Sequence, residues 1–369
     1  MASFCYLCTM KLHIFNPEHD LALAANQSNY TAPHAGRQLR NDLSFIPALW
    51  ADKGDFVLVD DIDSAYDKVR HLGSELADKV EFITKLQLEK VFQGSFLIDS
   101  VHPWGWDKAI VSELKRMGCP EIMLPTDETL EGLRCVSGRK WAASHLQKNV
   151  EWVENSMMLS EYVKEMGRIV VKAPWSCSGR GVRYFSQEAW EDAHERNAML
   201  KWTDHVISKQ GCVTVEPYYN KVKDFGMEFE MKDGVVEYRG LSLFQTVKNA
   251  YTGNLLVSEE EKLDILKKYT SVDALNEARQ MVIDTMQPIL KDLYHGPFGV
   301  DMMICANEQQ ELFVNSCIEL NLRRTMGHVA LALGEMEKMQ QHLMRVDFDG
   351  NRYHLNILPS QFNNVFNKS

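Results

Sequence analysis

The sequence predicts an α/β chain in two parts: an open parallel sheet with helices over roughly the first 120 residues, then antiparallel strands and helices after Pro125. Two observations carry this. Before Pro125, short continuous apolar runs alternate with helical patterns, which is how strands buried on both faces read. After it, strand-like segments come in pairs around Gly-, Asp- or Asn-containing turns.

In chain order, Lys11–Phe15 is the first strand, followed by the turn-rich NPEHD and a short helix at LALAA (Leu21–Ala25). FVLVD (Phe56–Asp60) is a continuous apolar run ending in acid, and VEFIT and SFLIDS are further strands. DKAIVSELKRMG is one of the helices between them. Beyond Pro125, TDETLEGLRCVSGRKWAASHLQK reads as helix, loop, helix, and GRIVVKAPWSCSGRGVRYF as strand, Gly/Ser loop, strand. CVTVEPYY is a strand that ends at Pro217. MEFEMKDGVVEYRG alternates on both arms about Asp233-Gly234, a hairpin signature. Glu259–Asp292 is a long amphipathic helical stretch of one or two helices, GPFGVDMMICA and ELFVNSCIELN are strands joined by NEQQ, and a last hairpin turns near Gly350. Domain boundaries are expected at 1–125, 126–212 and 213–369.

A chain of 369 residues is too long for one hydrophobic core. A net charge of -11 argues against a broad nucleic-acid surface, and no apolar stretch is long enough to make a membrane-spanning helix. The eight cysteines are scattered, and Cys5 and Cys8 lack the second pair that a zinc site needs. MASFCYLCTM has neither a basic start nor a sustained apolar core, Met10 reads as a more natural start, and a cytoplasmic protein with reduced thiols is expected.

Chemistry concentrates at three places. Asp301 ends GPFGVD, and Glu319 and Asn321 sit two apart in IELN, so both can face one side of a strand. If those strands pair antiparallel, Asp301 joins them, giving the hard oxygen set that suits Mg²⁺. Apolar neighbours (Val300, Met302, Ile318, Leu320) make a solvated acidic face the weaker alternative. In VVKAPWSCSGRGV, Lys172 ends a strand, Gly179 and Gly181 let backbone approach a ligand, and Arg180 adds charge. Such a loop is as often only a hairpin, and it is not a P-loop. In VEPYYNKVKDFGMEF, a strand reaches Glu216 and Asp224 follows; taken alone this is an ordinary strand exit.

The order of these features (Lys140 on a helix, Lys172 before the Gly/Ser loop, Glu216, Asp224, then Asp301 and Glu-x-Asn) resembles the ATP-grasp superfamily, in particular its carboxylate-amine ligases, over roughly residues 126–335. The resemblance implies an ATP-grasp fold preceded by an open α/β domain, with ATP and Mg²⁺ (or Mn²⁺) as cofactors. It implies a carboxylate and an amine as small-molecule partners, and a dimer by family habit. Lys140 and Lys172 would contact ATP phosphates beneath a mobile flap from Ser176 through Ser178 and Gly179 to Gly181. The backbone of Glu216, Tyr218 and Tyr219 would read the adenine edge, with Val170 and Ile318 on its faces. Asp224, or else Glu228 or Glu230, would hold the ribose, and Asp301, Glu319 and Asn321 the metal. Many amino-acid-ligating members carry an arginine just before the metal aspartate, where this chain has Gly299 and Val300; Arg323 or Arg324 would supply that charge instead, and Arg180 in the loop is a further catalytic candidate. A kinase that stops at phosphorylation and a non-catalytic nucleotide-binding regulator are the competing readings.

The N-terminal FNPEHDLALA is dense in functional groups. Asn16, Glu18, His19 and Asp20 follow the first strand, where ligands of open α/β sheets bind, and His34, Arg37 and the loop His102–Asp107 are further substrate candidates. The plainer alternative makes Asp20 the N-cap of the LALAA helix.

Overall fold

The protein is described here by a computed structural model covering residues 10–94, 98–176, 179, 181–247 and 250–359. It divides into two compact units: one takes in Met1–Ala22, Asn26–Leu130 and Asp347–Leu355, the other Leu23–Ala25, Glu131–Val346 and Asn356–Ser369. Cys5, Cys8, Ser178 and Arg180 lie outside the described residues.

The first unit holds a parallel sheet of β1 (Lys11–Ile14), β2 (Phe56–Leu58), β3 (Glu81–Ile83) and β4 (Ser100–Pro103), in the order β3-β2-β1-β4. Consecutive parallel strands need crossovers, which the helices Ile62–Leu72 and Lys85–Gln93 supply. Leu12, Ile14, Leu58, Ile83 and Val101 meet helix residues Leu88, Ile110, Val111 and Leu114 in one core. The expected strand at SFLIDS is displaced. β4 pairs with β1 from Lys11↔Ser100 to Ile14↔Pro103, so it starts where β1 offers a partner and absorbs His102 and Pro103 from the expected loop. Residues 95–97 lie outside the described set. The helix expected at Leu21 begins earlier, at His19, which puts Asp20 in the first turn rather than at the N-cap. There its charge still faces the positive end of the helix dipole.

The second unit contains antiparallel sheets. β5 (Glu151–Val153), β6 (Arg168–Lys172), β7 (Val182–Ser186) and β8 (Val213–Pro217) form one, ordered β5-β8-β6-β7. Ile169, Val171, Val213 and Val215 of its strands pack on Leu159, Val163, Met199 and Val206 of the helices Leu159–Met166 and Ala193–Gln210. Next come β9 (Asn220–Lys232), β10 (Val235–Ser242), β11 (Phe244–Val247), β12 (Ala250–Leu256), β13 (Gly296–Ala306), β14 (Leu312–Asn321), β15 (His342–Phe348) and β16 (Tyr353–Pro359), the last two sharing residues with the Asp347–Leu355 stretch of the first unit. Their orders are β10-β9-β13-β14 and β11-β12-β15-β16. The β9–β10 turn works because Asp233 (φ 51°) and Gly234 (φ 78°) both take positive φ, matching the strand twist. The helical stretch expected from Glu259 splits into Glu259–Leu266 and Val272–Leu290, each capped by a serine, Ser258 and Ser271.

Phe225, Phe229 and Phe298 are fully buried, and the rings of Phe229 and Phe298 stack at 5.2 Å across β9 and β13. These two strands carry the acidic face described below, so the packing on one side fixes the chemistry on the other. Phe298→Ala is expected to cost about 3–5 kcal/mol, the range for emptying a buried aromatic site. Chemical denaturation of the second unit's transition checks it; a change under about 1 kcal/mol would remove Phe298 as the anchor.

Candidate active site

Strand alternation and register build the site. Asp224, Gly226 and Glu228 occupy one face of β9; Gly299, Asp301 and Met303 occupy the matching face of β13. On β14, Glu319 pairs with Asp301, and Asn321 with Gly299. The predicted oxygen donors Asp301, Glu319 and Asn321 are thus brought together, with Asp224 one register step along. The two glycines make room for carboxyl groups: a Cβ on Gly299 would meet Glu228 Oε2 at 2.5 Å, and one on Gly226 would touch Asp301 Oδ1 and Glu228 Oε1 at 3.5 Å.

β14 gets there through an irregularity. After Asp301↔Glu319 the next pair is Met303↔Asn315, so β14 bulges over Ser316–Ile318. Gln147 fills the gap: its Nε2 donates to the carbonyls of Cys317 (3.0 Å) and Ile318 (3.2 Å). A bulge next to the paired carboxylates re-aims Glu319 relative to a regular ladder.

The electrostatics of this face are unfavourable to two negative charges. Burial pushes the Asp301 carboxyl up to about 7, and the charge of Glu319 pushes in the same direction. Arg323 and the Asn321 amide oppose this, with Asn321 Nδ2 donating to Asp301 Oδ2 at 3.3 Å and Arg323 Nη2 donating to Asn321 Oδ1 at 2.8 Å. A hard cation would relieve the same repulsion, and the donor set (two carboxylates and an amide oxygen) suits one. Among the described residues no group of three or more His, Cys, Asp and Glu is arranged to hold a metal ion, so a metal site here would depend on the Asn321 oxygen beside Asp301 and Glu319. Of the two candidate arginines, Arg323 reaches this site. Arg324 is acted on by Glu230 and Tyr294, and burial pulls its guanidinium down to about 10.

At the buried end of the same face, Glu228 is pushed up to about 8, chiefly by burial. It accepts from Thr325 Oγ1 (2.8 Å) and lies 3.0 Å from His328 Nδ1, while burial drives His328 down to about 3. A protonated carboxyl beside a neutral imidazole follows from these directions. Gly327 is required here: a Cβ would sit 1.8 Å from Glu228 Oε1. Glu228 is therefore a core group; of the other two acids of β9, Asp224 pairs with Lys221 at 2.7 Å and Glu230 with Arg239.

Lys172 is buried and its Nζ meets Glu216 Oε1 at 2.5 Å, while Val170 pairs with Glu216 across β6 and β8. The loop after Lys172 closes on itself: Ala173 N donates to Gly181 O at 2.8 Å, and a Cβ on Gly181 would lie 2.4 Å from Ser176 Cβ. Gly179 takes φ 71°. Tyr218 lies under the Arg168 guanidinium at 3.9 Å, and Tyr219 contacts Phe313 edge-on. Ile318 sits in the β14 bulge. Lys140 is turned away to Glu154 (2.8 Å), whereas its neighbour Arg139, missed in the sequence, is buried and pairs with Glu319.

The N-terminal candidates form a separate cluster within the first unit. Asn16 and His19 are each 2% exposed. Asn16 Nδ2 donates to Gly105 O at 2.9 Å, and His19 Nδ1 lies 3.0 Å from Asp107 Oδ2. Asp107 also caps the helix Lys108–Arg116. These residues lock the loop after β1 to the loop after β4, and their mapped polar bonds are internal. Glu18 pairs with Arg40 (3.0 Å), which also holds Glu113 (3.1 Å). His34 and Arg37 are exposed on the helix His34–Asp42, and Asp20 is half-buried.

The raised Asp301 carboxyl has a pH consequence. The folded state holds that proton more tightly than the unfolded chain, so its contribution is fully present below the ordinary aspartate value and is lost as pH rises through about 7. Denaturation of the metal-free protein should therefore show stability falling from about pH 4 to 7 in wild type, with the fall reduced in Asp301→Asn. Equal slopes for the two proteins would contradict the assignment.

No family model matches the chain, and no curated protein matches it in sequence. Solved structures do. N5-carboxyaminoimidazole synthetase from Staphylococcus aureus in complex with ADP is 13% identical over 94% of this chain and 85% of that one, with a TM-score of 0.50. The biotin carboxylase domain of Hydrogenobacter thermophilus 2-oxoglutarate carboxylase, solved with MgADP, ADP and bicarbonate, is 15% identical over 91% and 74%, with a TM-score of 0.49. At these identities the likeness is one of fold. The parallel sheet of the first unit and the antiparallel sheets of the second are what the ATP-grasp resemblance called for, and the chain has the ATP-grasp fold.

Proposed function

We propose that this protein is an ATP- and Mg²⁺-dependent ligase that phosphorylates a carboxylate and couples the resulting acyl phosphate to an amine. The observation that carries the reading is the convergence of Asp224, Asp301, Glu319 and Asn321 on one face of β9, β13 and β14. The fold shared with an ADP-bound synthetase supports it.

Asp301, Glu319 and Asn321 would hold Mg²⁺, which when bound supplies charge neutralisation on the β- and γ-phosphates. Lys172 and the backbone amides of the Ser176–Gly181 loop would grip the phosphates, with Ser178 and Arg180 as further candidates. Backbone at Glu216–Tyr219 would meet the adenine edge between Val170 and Ile318, and Asp224 the ribose. Arg323, held beside Asn321, would place its guanidinium against the negative charge of the attacked acyl group. Catalysis would be mostly positioning, with the closed loop keeping water from the acyl phosphate. A partner role for the N-terminal unit is substrate binding near Asp20, His34 and Arg37, with Asn16, Glu18 and His19 shaping the loop.

A screen of carboxylate and amine pairs for Mg²⁺-dependent ADP formation, with mass analysis of the product, tests the activity. Full ADP release should need both co-substrates; release with the carboxylate alone, or with neither, would contradict a ligase. Asp301→Asn and Glu319→Gln should each lower turnover by on the order of a hundredfold or more. Near-normal ADP release by either variant would remove the metal assignment. Lys172→Gln, which keeps a donor for Glu216 but removes the charge, should weaken ATP binding about tenfold by calorimetry. Unchanged affinity would count against the phosphate loop.

A further inference from the structure

One cation at the site has no part in the reading above. Arg139 opens the helix Arg139–His145 and is buried: its side chain is 8% exposed, against 32% for Glu319, its ion-pair partner. One guanidinium nitrogen, Nη1, donates to the carbonyl of Ala173 at 2.6 Å and to Ser176 Oγ at 2.9 Å. The other, Nη2, pairs with Glu319 Oε1. Nε is buried with no hydrogen-bond partner. A single planar fork therefore ties the base of the Gly/Ser loop to one of the two facing carboxylates, and lysine could not span these acceptors.

We propose that Arg139 is a positioning residue that holds Glu319 as its counter-charge in the metal-free protein, and that a divalent cation taking Glu319 releases both Arg139 and the loop base it grips. This rests on the metal assignment made above. The physical argument is competition. Asp301 and Glu319 face each other across β13 and β14, and leaving both without a cation in a partly buried site is costly. Arg139 reduces that cost, so an incoming metal must displace it from Glu319. Because the same guanidinium holds Ala173 and Ser176, metal occupancy and loop freedom are linked.

The test is Mn²⁺ binding to the full-length protein in the presence of ADP, followed by electron paramagnetic resonance. Arg139→Gln should bind Mn²⁺ roughly tenfold more tightly than wild type, the order expected when a competing charge is removed from a carboxylate; Glu319→Gln should bind more weakly. A merely structural arginine would not tighten metal binding when removed. Equal or weaker binding by Arg139→Gln, with wild-type binding intact, overturns the inference and leaves the metal site standing. No saturable binding by wild type overturns the metal assignment itself. Should Arg139→Gln fail to fold, hydrogen exchange of unaltered protein decides. Mn²⁺ alone should speed exchange in peptides spanning Ala173–Gly181, and slowed or unchanged exchange overturns the proposal.

Discussion

Two carboxylates on neighbouring strands, Asp301 and Glu319, face each other on a sheet whose far side is packed with aromatic rings. That repulsion is the constraint around which the second unit is organised. It cannot relax by sliding the strands, because β13 is locked between β9 and β14 by paired registers on both sides. A one-residue slip would turn the acids into the phenylalanine core. It cannot relax by solvation, because burial already holds the Asp301 carboxyl far above its usual range. What remains is a proton on Asp301 or positive charge, and the fold brings charge from different elements: Arg323 after β14, Arg139 from a helix start, and, on the ligase reading, a divalent metal.

Much of this was legible from local sequence. Glu-x-Asn on a strand with apolar flanks fixes a shared face by period-two alternation alone, and Asp301 needed only an antiparallel partner. The parallel sheet was equally visible in runs such as FVLVD. What stayed hidden depends on partners far along the chain. Arg139 and Lys140 are adjacent, and nothing local says which one faces the site; the structure turns Lys140 to Glu154 and Arg139 to Glu319, 180 residues away. The β14 bulge depends on the register offered by β13, and Gln147 reaches it across 170 residues. Glu228 read as an alternative ribose ligand until Thr325 and His328, from the far end of the unit, enclosed it.

The N-terminal motif shows the same limit from the opposite side. A cluster such as NPEHD suggests exposed chemistry because its groups are dense and follow a strand. Asn16 and His19 are instead spent on Gly105 and Asp107, nearly ninety residues on, and the close fit of the His19 ring against Gly105 leaves no room for a side chain there. Such a clamp gives the loops beyond β1 and β4 a defined shape, which is what a binding surface at that edge of a parallel sheet requires.

The claim on which the rest depends is that this acidic face holds a metal and a nucleotide together. Crystals grown with ADP and Mn²⁺ would test it by anomalous scattering. The account predicts a metal peak at about 2.2 Å from oxygens of Asp301, Glu319 and Asn321, with the diphosphate beside Lys172. A nucleotide bound elsewhere, or a metal peak without Asp301 and Glu319 as ligands, would contradict it.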